Sequence, residues 1–189
     1  MKPKIGVIIA SNRDARIGHA VATWFMGIAK KYTELEFQLI DLQEENLPFL
    51  NEPKLPAEGN YQQKSTIAWS NKISRLDGFV FVTPEYNHGY PASLKNAVDT
   101  LYREWQKKPV AFVGYGVLGA ARSIEQMIAV VSQIGMVPLG SRAINIINSS
   151  EFIDDKGKIN QDIIKGSKPE YLFSELAWWA KLLKSVRSK

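Results

Sequence analysis

One loop of the chain, residues 85–90, combines Tyr86, Asn87 and His88, side chains that can stack on a planar ring and offer it hydrogen bonds. It follows the apolar run of residues 79–82, whose β-branched and aromatic side chains predict a buried parallel strand. A proline then ends the strand, because its ring restricts the backbone and removes a hydrogen-bond donor. Open α/β sheets bind ligands outside the carboxyl ends of their strands, so this loop is predicted to contact a ligand.

A second polar loop, residues 11–18 with the sequence Ser-Asn-Arg-Asp-Ala-Arg-Ile-Gly, lies between a predicted strand and a predicted helix. Free amides at a helix N-terminus attract phosphate, and serine and arginine side chains add charge-assisted hydrogen bonds. The loop has neither the G-x-G-x-x-G dinucleotide fingerprint nor the G-K-[ST] ending of a P-loop. Two interpretations stay open: a loop that binds one phosphate, or a serine cap beside two solvated arginines.

A glycine-rich turn, residues 114–119, follows the fourth predicted strand. Glycines let the backbone approach the edge of a ring closely. This turn is therefore either a third contact to the same ligand or an ordinary strand-to-helix connection.

The ordered motif of residues 83–99, Thr-Pro-Glu-Tyr-Asn-His-Gly-Tyr-Pro-Ala-Ser-Leu-Lys-Asn-Ala-Val-Asp, resembles that of the NAD(P)H-dependent FMN reductase family. Residues 11–18 are similar to the family's G-S-x-R phosphate loop, with Ala10 in place of its first glycine. Residues 114–119 are similar to the turn that lines the pyrimidine side of the flavin. The resemblance implies a flavodoxin-like fold, bound FMN, and NADPH or NADH as the reductant.

The resemblance also implies which residues contact the cofactor. They are Ser11, Arg13, Arg16, Ile17, Gly18, Pro84, Glu85, Tyr86, Asn87, Tyr115, Gly116 and Gly119. His88 and Tyr90 are candidate substrate contacts, but an exposed loop histidine and a packing tyrosine explain them equally well. Lys95, Asn96 and Asp99 match the family's helix, where capping or a subunit contact is expected. No catalytic side chain is predicted, because the flavin itself carries out the hydride transfer.

The length and composition of the chain limit the classes of protein to which it can belong. The 189 residues, 45% of them hydrophobic, predict a single domain over residues 1–189. The chain has no cysteine and two histidines, His19 and His88, far apart, so neither disulfides nor a metal site is predicted. No apolar run reaches the length of a membrane span, and the first strand is too short for a secretory signal, which predicts a cytoplasmic protein.

Strand and helix patterns alternate along the chain, which predicts a parallel sheet with helices on both faces. Strands are predicted at residues 4–10, 36–42, 78–83 and 110–115, with a fifth position shared by residues 136–139 and 143–147. Helices are predicted at residues 18–31, 62–75, 91–105, 120–134 and 169–186, a loop at 46–61 and a tight turn at 154–157. Together with the resemblance, this gives a flavodoxin-like three-layer sandwich whose five-stranded parallel sheet has the order 2-1-3-4-5.

The implied function is an FMN-dependent NAD(P)H oxidoreductase. It would transfer a hydride from NADPH through FMN to a quinone or similar small-molecule acceptor, in a ping-pong sequence. The net charge of +5 favours binding of the phosphorylated nicotinamide NADPH, and it argues against a flavodoxin, since flavodoxins are typically acidic. The basic residues are too dispersed along the chain to predict nucleic-acid binding. Two alternatives stay open: a flavin-binding redox sensor or interaction module with little turnover, and an unrelated phosphate-binding protein without flavin.

A homodimer or homotetramer is also implied by the resemblance. The predicted helix at residues 91–105 carries more apolar side chains than a helix with one wet face needs, which predicts a contribution to a subunit interface. These side chains are Leu94, Val98, Leu101, Tyr102 and Trp105.

Overall fold

A parallel sheet forms the centre of the computed structural model, which describes residues 1–154, 159–164 and 168–187. Its strands are β1 (Lys4–Ile9), β2 (Glu36–Asp41), β3 (Gly78–Pro84), β4 (Pro109–Gly116), β5 (Val137–Pro138) and β6 (Ile144–Ile147). The order is β2-β1-β3-β4-β5, and β6 also pairs with β4. Since β5 pairs with the start of β4 and β6 with its end, the two short strands share the fifth position, as the sequence predicted.

Helices cover both faces of the sheet. They are α1 (Gly18–Ala29), α2 (Leu42–Glu45), α3 (Lys64–Ser74), α4 (Ala92–Asp99), α5 (Ala121–Gln133), α6 (Gln161–Ile164) and α7 (Pro169–Arg187). One hydrophobic cluster contains α1 and α7, and a second contains α3, α4 and α5. Successive residues of β3 enter opposite clusters, with Val80 and Val82 in the first and Phe79 and Phe81 in the second, because side chains alternate along a strand. The predicted three-layer sandwich is confirmed.

Most predicted bounds hold to within about two residues, the usual uncertainty of an element's ends. The short helix α2 was missed: its N-terminus is capped by Asp41, whose Oδ1 accepts a hydrogen bond from the Gln43 amide at 3.0 Å. The tight turn predicted at residues 154–157 lies outside the described residues, apart from Asp154. No helix in the described ranges has the length and apolar character needed to cross a bilayer.

The prediction of a helix at residues 91–105 is wrong for the second half of that range. Helix α4 ends at Asp99, and a separate 3-10 turn spans Arg103–Trp105. Two buried indoles bind the carbonyls of the last helical turn: Trp69 Nε1 donates to Ala97 O at 2.9 Å, and Trp105 Nε1 donates to Val98 O at 3.0 Å. Side-chain donors therefore take the place of the backbone amides that would have continued the helix.

Four of the five apolar residues that motivated an interface on this helix belong to the chain's own core, and the fifth, Tyr102, is half-buried. Leu94, Val98, Leu101 and Trp105 are each at most 1% exposed. They pack in the second hydrophobic cluster, so the apolar surface of these four gives no reason for an interface, and the contribution of the helix to one stays a prediction.

Helix α7 is fastened to the amino-terminal edge of the sheet by Asp77. The carboxylate accepts hydrogen bonds from Lys184 Nζ at 2.7 Å, Arg187 Nη2 at 2.9 Å and the Lys4 amide at 2.9 Å. Burial acts to raise the pKa of Asp77, but these donors outweigh it, and the net pKa lies below its ordinary value. The folded state therefore favours the ionised carboxylate.

The substitution Asp77→Asn tests this fastening. We expect it to lower the free energy of unfolding at pH 7 by about 1–3 kcal/mol, since charged hydrogen bonds to a buried side chain are lost. A carboxylate with a depressed folded pKa stabilises fully above the unfolded pKa of about 3.9 and loses that contribution as pH falls through the lower folded value. The difference in the free energy of unfolding between wild type and variant, measured by urea unfolding, should thus shrink as the pH falls below about 4.

Asp99→Asn is the matched control, because Asp99 pairs with Lys95 on an exposed helix face. Such pairs contribute about 0.3–0.5 kcal/mol. Equal destabilisation by the two variants would contradict the assignment.

Candidate active site

Three loops meet at the carboxyl edge of the sheet, after β1, β3 and β4. Strand β1 lies between β2 and β3, so the chain changes direction across the sheet at the β1–β3 boundary. There the Ala10 amide donates to Val82 O at 2.9 Å, and Ser93 Oγ donates to Ala10 O at 2.5 Å. The first residues of α4 are thereby held against the end of β1. This topological switch point is where doubly wound sheets form a ligand crevice.

The loop after β1 presents an uncapped helix N-terminus. No side chain caps α1, and its first turn contains no acidic residue. Arg13 is exposed, and within the described ranges its guanidinium has no hydrogen-bond or ion-pair partner. Free amides, the positive end of a helix dipole and an unpaired cation together make an anion site. Ile17, also predicted here, is the residue before the helix and packs partly into the core.

Ser11, Gly18 and Tyr115 are packed tightly beneath this loop. The Tyr115 hydroxyl donates to Ser11 Oγ at 2.9 Å, and both side chains are buried. Burial raises the pKa of Tyr115 well above its ordinary value, so the hydroxyl stays protonated and keeps this bond. A Cβ at Gly18 would overlap Ser11 Oγ and lie 2.5 Å from the Tyr115 hydroxyl oxygen. Glycine is thus required where the helix begins, and Tyr115 supports the loop from below.

Arg16 has a different role from the one predicted. Its Nη1 and Nη2 donate to the two carboxylate oxygens of Asp41 at 2.5 and 2.7 Å, and Nη1 also donates to Ser11 O at 2.7 Å. The two side chains are 10% and 6% exposed. Burial acts to raise the pKa of Asp41, yet hydrogen bonds from Arg16 and the Gln43 amide lower it overall. The guanidinium therefore holds the loop to the end of β2 instead of being free for a phosphate.

The loop after β3 folds into a tight hairpin turn. Tyr86 and Gly89 exchange backbone hydrogen bonds of 2.9 and 3.0 Å. Asn87 and His88, between them, have φ values of 50° and 68°. Positive φ at both central residues is the mark of a type I′ turn, which asparagine tolerates better than most residues. The backbone of the motif is thus bent into a compact, hydrogen-bonded shape.

Arg122, which the sequence analysis did not single out, anchors that hairpin to α5. Its guanidinium forms an ion pair with Glu85, and its amide donates to Glu85 Oε2 at 3.1 Å. Burial acts to raise the pKa of Glu85, but the bonds from Arg122 lower it overall. Arg122 Nη1 also lies 2.8 Å from His88 Nε2, and Gln126 Nε2 donates to His88 O at 2.7 Å. The Glu85 carboxylate, a residue predicted to contact the flavin, and the His88 imidazole, a candidate substrate contact, are thus both bound to Arg122 of α5.

The turn after β4 is pressed against β6. Gly119 has a φ of 61°, and its carbonyl accepts a hydrogen bond from Asn145 Nδ2 at 2.8 Å. A Cβ there would lie 2.7 Å from Asn145 Cβ, so both the backbone angle and the packing require glycine. Gly116, at the end of β4, and Pro84, at the end of β3, place the two loops on neighbouring strands.

A cleft of about 470 Å³ opens beside the switch point. It is lined by the loop after β1, the hairpin after β3, the start of α4 and the segment after β2: Asn12, Leu42, Gln43, Asn46, Leu47, Phe49, Tyr86, Pro91, Ala92, Ser93 and Asn96. Tyr90 is half-buried against the second hydrophobic cluster, as the packing interpretation expected. Across the described ranges, His, Cys, Asp and Glu side chains form no group of three or more that could hold a metal ion.

The sheet order and the placement of these loops define a flavodoxin-like α/β protein with a ligand crevice at its switch point. The model of the family "NADPH-dependent FMN reductase" matches residues 3–151, and the chain belongs to that family.

The similar proteins match this chain over different fractions of their own length. An NAD(P)H-dependent FMN reductase of Schizosaccharomyces pombe is 46% identical over 127 residues, which are 66% of this chain and 64% of that protein. A quinone reductase of Pseudomonas putida is 26% identical over 194 residues, covering 96% and 97% of the two chains. The solved structure of FerB, a flavoenzyme NAD(P)H:(acceptor) oxidoreductase of Paracoccus denitrificans, has the same fold, with a TM-score of 0.71, 24% identity and 97% and 98% coverage.

The residues at the crevice fit the cofactor of this family. The uncapped start of α1 and Arg13 supply donors and positive charge for one phosphate group. Tyr86 lines the adjoining cleft, where its aromatic ring can stack on a flat ring system.

The substitution Arg16→Ala tests the structural role of that arginine. It leaves the Asp41 carboxylate buried without its partner, and we expect the free energy of unfolding to fall by about 3–5 kcal/mol. Urea unfolding of the protein without added ligand measures this value. Arg13→Ala is the control, because an exposed, unpaired side chain should change stability by less than about 0.5 kcal/mol. Similar values for the two variants would contradict the assignment of Arg16 to Asp41.

Proposed function

We propose that this chain is an FMN-dependent NAD(P)H oxidoreductase that reduces a quinone or a similar small acceptor. The observation that carries the proposal is the pairing of a phosphate-type site with an aromatic hairpin on the two strands that flank the switch point. The free N-terminus of α1 follows β1, and the hairpin at Tyr86 follows β3. FMN has one phosphate and one flat ring system, which matches this division of the crevice.

Each loop has a separate task in binding. Arg13 and the first amides of α1 hold the phosphate, and the buried Ser11 supports their loop from below. The backbone of residues 84–87 and the turn at Gly116 and Gly119 border the ring. The chemistry that FMN supplies when bound is two-electron hydride transfer, by which NADPH, a proton and a quinone give NADP⁺ and a hydroquinone. Glu85 and Arg122 hold the hairpin rigid, and the hydride transfer itself calls for no acid-base group of side chains, because the flavin carries it out. The net positive charge attracts the phosphorylated nicotinamide.

An absorption spectrum of the purified protein, followed by anaerobic titration with NADPH and NADH, tests the proposal. We expect a flavin spectrum that is bleached by one equivalent of NADPH, and FMN, not FAD, in the mass spectrum of the released cofactor. A colourless protein that takes up no FMN would contradict the proposal and would indicate a protein that binds a different phosphate ligand. Flavin that is reduced but not turned over with quinone would instead indicate the redox sensor.

Arg13→Ala is expected to weaken FMN binding by roughly ten- to a hundredfold, because a charge-assisted hydrogen bond contributes about 1.5–3 kcal/mol. Titration of apoprotein with FMN, followed by flavin fluorescence, gives the dissociation constant. Lys2→Ala, a change of an exposed cation at the other edge of the sheet, is the matched control. An unchanged dissociation constant in Arg13→Ala would exclude this side chain from the phosphate site.

The kinetics should show a two-step exchange. We expect the loops to cover one side and edge of the flavin ring, so we infer that nicotinamide and acceptor use one stacking position in turn. Double-reciprocal plots with NADPH and quinone as varied substrates are then parallel. Intersecting lines over the full concentration range would indicate that both substrates are bound together and would rule out this mechanism.

We infer that residues 1–189 form one domain, supported by the return of α7 to the sheet through Asp77. The homodimer or homotetramer and the cytoplasmic location stay predictions. Light scattering across a dilution series and cell fractionation measure them.

A further inference from the structure

The segment between α2 and α3 has little regular structure, yet one side chain of α4 fixes its first part. Asn96 Oδ1 accepts a hydrogen bond from the Leu50 amide at 3.0 Å. Asn96 Nδ2 donates to Pro48 O at 2.9 Å and Leu47 O at 3.4 Å. These bonds hold the backbone on both sides of Phe49. One amide side chain therefore determines where Phe49 is presented.

The rest of the segment is also bound to neighbouring elements. Glu52 accepts hydrogen bonds from the Gln62 and Gln63 amides at 2.7 and 3.0 Å, at the start of α3. Arg103 Nε donates to Ala57 O at 2.9 Å. Hydrogen bonds along its length thus hold the segment between α2 and α3 in place beside the crevice.

Phe49 lies at the cleft, and its side chain is exposed to solvent. Its exposed fraction is 81%, although its backbone neighbours are fixed. The ring lines the same cleft as Tyr86, Leu42 and Leu47. Ordering a loop to display an aromatic ring beside a crevice is typical of a surface that packs against a ligand.

The charge of the cleft indicates the class of ligand. None of the described residues that line it is Lys, Arg, Asp or Glu, although the chain carries 24 basic and 19 acidic residues. A nicotinamide nucleotide carries several phosphate charges, and its recognition calls for cations. An uncharged lining with aromatic and aliphatic walls and asparagine and glutamine amides suits a neutral, flat molecule.

We propose that Phe49 forms the wall against which a neutral, planar acceptor packs, and that Asn96 is the positioning residue that holds it there. This inference rests on the proposed function, since it assigns the acceptor of that reaction to the uncharged cleft. The two substrates still use one stacking position in turn, and Phe49 is a contact that the acceptor alone makes.

Binding and kinetics of Phe49→Ala test the proposal on the FMN-loaded protein. 1-Naphthol, a flat bicyclic molecule that accepts no hydride, is the binding probe, with calorimetry as the readout. We expect its dissociation constant and the KM for the naphthoquinone menadione to rise roughly three- to tenfold, the range of one aromatic contact. The kcat with menadione, the rate of flavin reduction by NADPH and the KM for ferricyanide, a charged acceptor that needs no stacking, should not change.

Leu55→Ala is the matched control, because Leu55 is an exposed apolar residue of the same segment that does not line the cleft. It should leave both constants unchanged. If Phe49→Ala behaves like Leu55→Ala, or slows NADPH and menadione alike, the proposal is overturned. A change in assembly with Phe49→Ala, seen by light scattering, would place this ring in a subunit contact and would also overturn it.

The double variant Phe49→Ala/Asn96→Ala tests the positioning role. Asn96→Ala alone should weaken 1-naphthol binding, but add nothing once the ring is absent, because it acts through Phe49. Additive effects would show that Asn96 contacts the ligand directly or has a general structural role, and either result would refute the positioning. Should Asn96→Ala fold poorly, Asn96→Asp, which keeps the acceptor for the Leu50 amide, replaces it in the same cycle. A protein without FMN would overturn the proposed function alone, since 1-naphthol binding to the cleft is still measurable.

Discussion

The buried ion pair between Arg16 and Asp41 is the interaction on which the crevice depends. It joins the loop after β1 to the end of β2, and the same guanidinium binds the carbonyl of Ser11. A buried carboxylate needs such a partner, because burial alone disfavours its charge. With Arg16 satisfied in this way, Arg13 and the amides of α1 are left as the free donors of the loop. The pair therefore separates the arginine that shapes the site from the arginine that is available to a ligand.

The hairpin after β3 is stabilised in the same way from the opposite side. Glu85 and His88 both bind Arg122 on α5, so the type I′ turn is supported by a helix of the neighbouring βα unit. Tyr115 and Ser11 join the end of β4 to the loop after β1 through one hydrogen bond. Polar side chains thus bind the loops to each other, and the aromatic ring of Tyr86 lines the cleft. Such a preorganised arrangement suits a reaction in which the cofactor does the chemistry and the protein places it.

Charge is divided between two parts of the same crevice. The exposed Arg13 and the α1 dipole make the loop after β1 positive, whereas the cleft beside it has no charged lining residue among those described. Desolvating a phosphate near Phe49 would cost free energy without compensation, and a neutral ring near Arg13 would gain nothing from the charge. One crevice can therefore discriminate between an anionic and an apolar ligand by position.

The sequence by itself determined the layers and the positions of the three loops of the crevice. These follow from local patterns, namely apolar runs at strand length, the alternation of strand and helix patterns, and breakers such as Pro84. The sheet order needed in addition the resemblance of residues 83–99 to a family motif. Only the tertiary structure decided what the polar side chains of those loops do. The partners of Arg16, Glu85 and Asn96 lie 25, 37 and up to 49 positions away along the chain, and no local pattern encodes a hydrogen bond over such separations. The early end of α4 has the same cause, because Trp69 reaches the Ala97 carbonyl only once α3 has packed on the sheet.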